Sequence, residues 1–297
     1  MKKVIIAIIV IALVGFIIYF ISTSSNSVTL NNQKVATTTL DIATTTKAEN
    51  KVETILGKSV EGKDIVAYHF GTGEKEILFV GGIHGGYEWN TTLLAYELTD
   101  YLKANPNTIP TSVKVTVIPV LNPDGLNKVV GTSSRFTLAS VPNTESATVP
   151  GRFNANNVDL NRNFDCDWQT TATWQNKAVS GGNAVFSEPE SLAVKNYIEA
   201  KNPKAVIVYY SAAGGVFSSN CHNGVLPETN SLTNTYAKAS GYPAYEEFNF
   251  YEITGDMVNW LAKKNIPSIS VLLTNHKDTE WTKNLAGVKA ILNFYAK

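Results

Sequence analysis

The 297-residue sequence holds four histidines, at positions 69, 84, 222 and 276, and one of them is followed closely by a carboxylate: "HGGYE" carries His84 and Glu88. Imidazole nitrogen and carboxylate oxygen both suit a zinc ion, so the two could share one. Taken alone, such a pair is often incidental. The two cysteines, Cys166 and Cys221, lie in polar loop sequences ("FDCDW", "SNCHNG") rather than in core runs. An even count in an oxidising compartment permits a disulfide, favoured here over two free, partly buried thiols. Asp124 in "NPDG" reads as a turn residue, since Asn, Pro, Asp and Gly each have backbone reasons to occur there. Glu188 and Glu190 in "FSEPES" read as first-turn residues of a helix, where carboxylates meet the positive end of its dipole. In "VIVYYSAAGGVF" a buried strand runs into small residues that clear space, yet the tip residue, Tyr210, is large.

Those residues need a scaffold, and the composition allows one. With 44% hydrophobic and 17% charged residues the chain can bury a large core. Twenty-five basic and twenty-five acidic residues give zero formal charge, which argues against nucleic acid as a partner. Residues 4–21 are 18 positions without a charge, enough to span a membrane. Tyr19, Phe20 and Ile21 fill the place where a signal-peptidase site would be expected, so residues 4–22 are expected to form a retained transmembrane anchor. Lys2 and Lys3 keep the tip, residues 1–3, in the cytoplasm by the positive-inside rule, and place the rest outside. Residues 23–50, rich in Ser, Thr and Asn, read as a flexible linker, and residues 51–297 as one folded domain.

Within that domain the apolar runs at 52–57 and 64–71 suggest a hairpin. Runs at 76–82, 113–120, 205–210 and 267–273 read as buried strands, and 91–104, 189–200, 255–264 and 281–295 as helices. The alternation predicts an α/β fold: a mixed, mostly parallel twisted sheet with helices on both faces. Sites in such sheets form beyond the carboxyl ends of the strands, where "HGGYE", "NPDG" and "SAAGG" all fall.

Five stretches in order, "GKSVEGKDI", "VIPVLNPDGL", "GRFNANNVDLNRNF", "FSEPES" and "YEITGDMVNW", resemble the zinc carboxypeptidase family, meaning the carboxypeptidase A-like metallopeptidases and their bacterial cell-wall relatives. The resemblance covers essentially the whole predicted exported domain. It implies one zinc ion, and a peptide with a free C-terminal carboxylate whose last amide bond is cleaved, including cell-wall stem peptides. His84 matches the first metal ligand and Glu88 the second, with one extra residue between them; Tyr87 stands at the usual spacing. Asn161 and Arg162 match a pair that holds the terminal carboxylate, for which the planar guanidinium fork is suited. Arg152 resembles a second substrate arginine, with Arg135 as its rival. Tyr251 matches a mobile tyrosine over the substrate, and Val258 would face the pocket for the terminal side chain.

The sequence departs from the pattern at two positions. Where the family carries its second zinc histidine stands Tyr210, a neutral phenol and a much poorer zinc ligand. Where it carries the catalytic glutamate stands Leu272, followed by Leu273, and leucine cannot accept a proton from water. His222 is the candidate substitute ligand, Glu280 the candidate substitute base, and His276 follows the strand that should carry the base. Two readings follow: a membrane-anchored metallocarboxypeptidase with a rewired site, or a non-catalytic module that binds peptides through the retained carboxylate clamp.

Overall fold

The computed structural model describes residues 52–297; the expected cytoplasmic tip, anchor and linker lie outside the described residues. Every apolar run read as a strand enters one eight-stranded sheet. In chain order its strands are β1 (Glu53–Lys58), β2 (Asp64–Phe70), β3 (Lys75–Val80), β4 (Val113–Ile118), β7 (Ala205–Ser211), β8 (Gly215–Ser218), β9 (Ala244–Tyr245) and β10 (Ser268–Leu273). A separate hairpin supplies β5 (Thr171–Trp174) and β6 (Lys177–Ser180). The spatial order is β1-β2-β4-β3-β7-β10-β8-β9. The central strands β4, β3, β7 and β10 run parallel, whereas β1–β2, β2–β4 and β10–β8 pair antiparallel. The sheet is therefore mixed, with its parallel part at the centre, as buried parallel strands require.

The helices are α1 (Trp89–Ala104), α2 (Pro123–Val130), α3 (Glu145–Thr148), α4 (Pro189–Lys201), α5 (Pro227–Ser240), α6 (Met257–Lys263) and α7 (Trp281–Tyr295). Alternation along the strands sends side chains to opposite faces. Ile77, Phe79, Ile207, Tyr209, Val271 and Leu273 pack with α1, α5 and α7 on one face. Leu78, Val80, Val206, Val208, Tyr210 and Leu272 pack with α4 and α6 on the other. Among the described residues no helix is long and apolar enough to cross a membrane.

Two local readings change. "NPDG" is the start of a helix: Pro123 occupies its first turn, where its missing N–H costs nothing, and Asn122 Oδ1 caps it by accepting from Gly125 N at 2.8 Å. The helix expected from residue 255 begins at Met257, because Gly255 has φ +65° and Asp256 is the N-cap. A Cβ at Gly255 would collide with the Arg162 carbonyl, so this backbone sits directly on the "NRNF" turn.

That turn and the "SNCHNG" loop are tied by a Cys166–Cys221 disulfide spanning 55 residues. Closing a loop of that size restricts the unfolded chain by roughly 4 kcal/mol in the chain-entropy model, and removal of such bridges typically costs about 2–5 kcal/mol. The Cys166→Ser/Cys221→Ser double variant is expected to lower the free energy of unfolding by about that amount, read from urea titration as a lower midpoint. An unchanged midpoint would show the bridge to be without stabilising effect.

Candidate metal and substrate cleft

A cleft opens beyond the carboxyl ends of β3, β7 and β10 and is lined by His84, Glu88, Arg152, Arg162, Tyr210 and Tyr251, among others. His84 and Glu88 reach it from the turn between β3 and α1, in which the His84 carbonyl accepts from Tyr87 N at 3.0 Å and Glu88 N at 3.4 Å. This one turn puts both side chains on the same side. His84 Nδ1 lies 2.9 Å from Glu88 Oε1, and both residues are buried. The approach is not a well-aligned hydrogen bond, and His84 Nδ1 and Glu88 Oε2 have no hydrogen-bond partner. Two buried, unpartnered donor atoms side by side are what two ligands of one metal present.

Behind them stands a residue that the sequence reading missed. Asp159 is fully buried and its Oδ1 lies 3.2 Å from His84 Nε2, while Arg152 Nε and Nη2 each lie 2.8 Å from its Oδ2. Burial by itself would raise its pKa. The nearby Arg152, His84 and Arg162 outweigh that and hold the carboxyl well below the usual range. Its orientation of the imidazole follows the carboxylate–histidine arrangement common behind metal ligands. Its position two residues before Asn161, inside "VDLNRNF", was the available signal.

Among the described residues no third donor joins His84 and Glu88. Tyr210, at the end of β7, tilts against the His84 ring at 5.7 Å between centroids, but its hydroxyl donates to Asn161 Oδ1 at 3.0 Å. Burial, with the nearby carboxylates of Asp256 and Glu88, pushes the phenol pKa well above its ordinary value. Among the described residues the one trio of metal-binding side chains close enough to share an ion is Cys166, Cys221 and His222, and both sulfurs are in the disulfide. His222 is exposed and paired with Asp167 at 2.7 Å. The donor set therefore supplies two of the three ligands of a zinc site and does not complete it.

Where the resemblance expects the base stands a leucine. Leu272 pairs in parallel register with Tyr210 and faces the same cleft. Glu280, the candidate substitute, is engaged elsewhere. It occupies the N-cap position of α7 without a side-chain cap and accepts from Thr274 N, Thr274 Oγ1, Tyr242 Oη and Lys283 Nζ, outside the cleft lining.

The substrate-binding candidates are better placed. Arg162 is buried and directs Nε and Nη2 to the Thr173 carbonyl and Nη1 to the Asn161 carbonyl. Three of the five guanidinium donors are thus engaged, and two remain for a ligand. Asn161 Oδ1 accepts from Tyr210 and from Met257 N at 3.1 Å, so this residue positions the pocket floor. Arg152 stacks over Trp174 at 4.4 Å, whereas its rival Arg135 pairs with Asp100 on the exposed surface over Tyr96. Tyr251 and Val258 both line the cleft. Asp124 braces from behind, accepting from Ser59 Oγ, Glu61 N and Lys63 Nζ of the β1–β2 hairpin. Glu188 and Glu190 grip Asn154, which lies two residues from Arg152.

The sequence matches the zinc carboxypeptidase family over residues 40–285, and the chain belongs to that family. It is 28% identical over 218 residues to gamma-D-glutamyl-L-diamino acid endopeptidase 1 of Lysinibacillus sphaericus, covering 67% of this chain and 54% of that protein. It is 28% identical over 184 residues to the human carboxypeptidase N catalytic chain, covering 58% of this chain and 37% of the relative. The chain thus spans about half or less of these relatives. Among solved structures, murein-tripeptide amidase MpaA from Escherichia coli O157 superposes with TM-score 0.59 at 19% identity, over 82% of this chain and 92% of that one. Carboxypeptidase A from Helicoverpa armigera gives 0.63 at 19% identity, over 82% and 68%. The shared fold is that of the carboxypeptidases, and the family implies zinc.

One carboxyl in the cleft makes a pH prediction. Burial pushes Asp256 up to about 6, against hydrogen bonds from Asn259 and Asn161 and the charge of Arg162. In the unfolded chain it titrates near 3.8. Between those values the folded state holds the proton that the unfolded state has lost, so this group's contribution to stability falls as pH rises. Two pKa units correspond to roughly 3 kcal/mol. Asp256→Asn, which retains a capping oxygen, is expected to remove this fall between about pH 4 and 6 in denaturant titrations. An identical pH profile for both proteins would contradict it.

Proposed function

We propose that this chain is a membrane-anchored, extracytoplasmic member of the zinc carboxypeptidase family that binds peptides with a free C-terminal carboxylate and has lost the ability to hydrolyse them. The observation that carries this reading is Tyr210. It stands where the third metal donor belongs, its hydroxyl is committed to Asn161, and Leu272 lies beside it in register. The loss of a general base alone costs about 10²–10⁴-fold. The two remaining donors of Arg162, with Arg152 and Tyr251 on the same cleft, support carboxylate recognition. The names of two similar proteins, an endopeptidase for gamma-D-glutamyl-L-diamino acid links and a murein-tripeptide amidase, support cell-wall stem peptides as the ligand class. The anchor and the outside location rest on residues 1–22 of the sequence.

The purified domain is expected to hold well under one zinc per chain and to show no chelator-sensitive hydrolysis of C-terminal peptide substrates. One tightly held zinc with chelator-sensitive turnover would instead establish the rewired enzyme, for which the unpartnered His84 Nδ1 and Glu88 Oε2 are the structural argument. The Tyr210→His/Leu272→Glu double variant restores the missing donor and base, and is expected to gain zinc binding.

Arg162→Ala is expected to weaken binding of a peptide with a free C-terminus by about tenfold or more, since charge-assisted hydrogen bonds contribute about 1.5–3 kcal/mol. The same peptide with an amidated C-terminus should be insensitive to the substitution. Calorimetric titration on protein with an unchanged circular dichroism spectrum measures both.

A further inference from the structure

A hydrogen-bond relay at the end of β10 fixes the tautomer of the one histidine in the cleft that neither the His84–Glu88 pair nor the disulfide loop uses. Asn90, fully buried at the start of α1, directs its side-chain nitrogen to two main-chain carbonyls, Asn275 at 2.7 Å and Asp278 at 3.0 Å. Carbonyl oxygens only accept, so the NH2 group must face them and Oδ1 must face the other way. That oxygen lies 3.0 Å from Ser211 Oγ. It too only accepts, so the single serine proton points at Asn90. Ser211 Oγ is also 2.9 Å from His276 Nδ1, and with its proton already committed it can only accept there. The proton of that bond must therefore sit on His276 Nδ1. In a neutral imidazole the other nitrogen, Nε2, is then a bare acceptor.

Two features give this acceptor a place to work. His276 is half-buried and lines the cleft with Ser211, Ala212 and Ala213, whose small side chains leave room for a passing chain. Its ring packs on the buried Tyr87 at 4.7 Å between centroids, so it is held on one side by the aromatic ring and on another by the relay. Nε2 itself makes no hydrogen bond among the described residues. The Asp278 carboxylate is turned to Glu280 N, away from this role, so the acceptor offered here is a ring nitrogen, which suits an amide N–H.

We propose that His276 Nε2 is a preset hydrogen-bond acceptor for a main-chain N–H of the bound peptide, with Asn90 and Ser211 as the positioning residues that fix its tautomer. The proposal rests on the peptide-binding reading of the cleft, but its first test does not. Nitrogen-15 NMR of the imidazole in the ligand-free protein, above the pH at which the ring is protonated, is expected to show Nδ1–H and a bare Nε2. Ser211→Ala is expected to shift the ring towards a mixture of tautomers. An Nε2–H ring in the unsubstituted protein overturns the proposal.

The second test titrates the protein with a free-carboxylate peptide and with depsipeptides in which one backbone N–H at a time is replaced by an ester oxygen. One replacement is expected to weaken binding about 3- to 10-fold, the worth of one neutral hydrogen bond. His276→Phe should weaken the parent peptide to the same extent and make that replacement silent. His276→Gln, whose side-chain oxygen can stand near the Nε2 position, should recover most of the affinity. Binding lost in Arg162→Ala but kept in His276→Phe overturns this proposal alone. Failure of the unsubstituted protein to bind any such peptide overturns the peptide-binding reading together with it.

Discussion

The buried carboxylate of Asp159 is the interaction on which the cleft depends. A fully enclosed charge costs several kcal/mol unless it is paired and hydrogen-bonded, and Arg152 supplies that pairing through two nitrogens on one oxygen. The other oxygen faces His84 Nε2 and also accepts from Asn161 N at 3.1 Å. One side chain thereby orients the imidazole, anchors the arginine that stacks on Trp174, and caps the short turn carrying Asn161 and Arg162. The metal-side and carboxylate-side halves of the cleft are set by the same anion.

Against that polar frame, the place where hydrolytic chemistry would occur has become an extension of the core. Tyr210 and Leu272 are adjacent in register on parallel strands and belong to the apolar layer under α4 and α6. Tyr210 is buried without an unsatisfied hydroxyl because Asn161 accepts from it, the requirement for a polar group in such a position. His84 Nδ1 and Glu88 Oε2, by contrast, have no hydrogen-bond partner among the described residues.

Several sequence motifs that looked like ordinary turn and helix-start signals turn out to brace the site at long range. Asp124 does begin a helix, but its carboxylate holds the β1–β2 hairpin through three donors some sixty residues earlier in the chain. Glu188 and Glu190 do stand at a helix start, yet they grip Asn154, and Glu190 also accepts from Val60 N. Local propensity explains why these residues are allowed where they are. Partners far away in sequence explain what they hold.

By itself the sequence determined the α/β architecture, because strand and helix periods and their alternation are local properties of side-chain pattern. Ordered motifs were enough for the family, and for placing His84, Glu88, Arg152, Asn161, Arg162 and Tyr251 on one cleft. The same reading singled out Tyr210 and Leu272, since a residue type can be compared at a position without coordinates. Only the tertiary structure decided between rivals and substitutes. Arg135 and Glu280 found partners outside the cleft, in Asp100 and in Thr274 and Lys283, and His222, on the cleft wall, is paired with Asp167. The pairing of Asp159 with His84 and the Asn90–Ser211–His276 relay were likewise beyond the sequence, because they join residues 75, 121 and 65 positions apart. Hydrogen bonds act over about 3 Å, so their pairing is settled by how distant segments meet, and no local pattern carries that information.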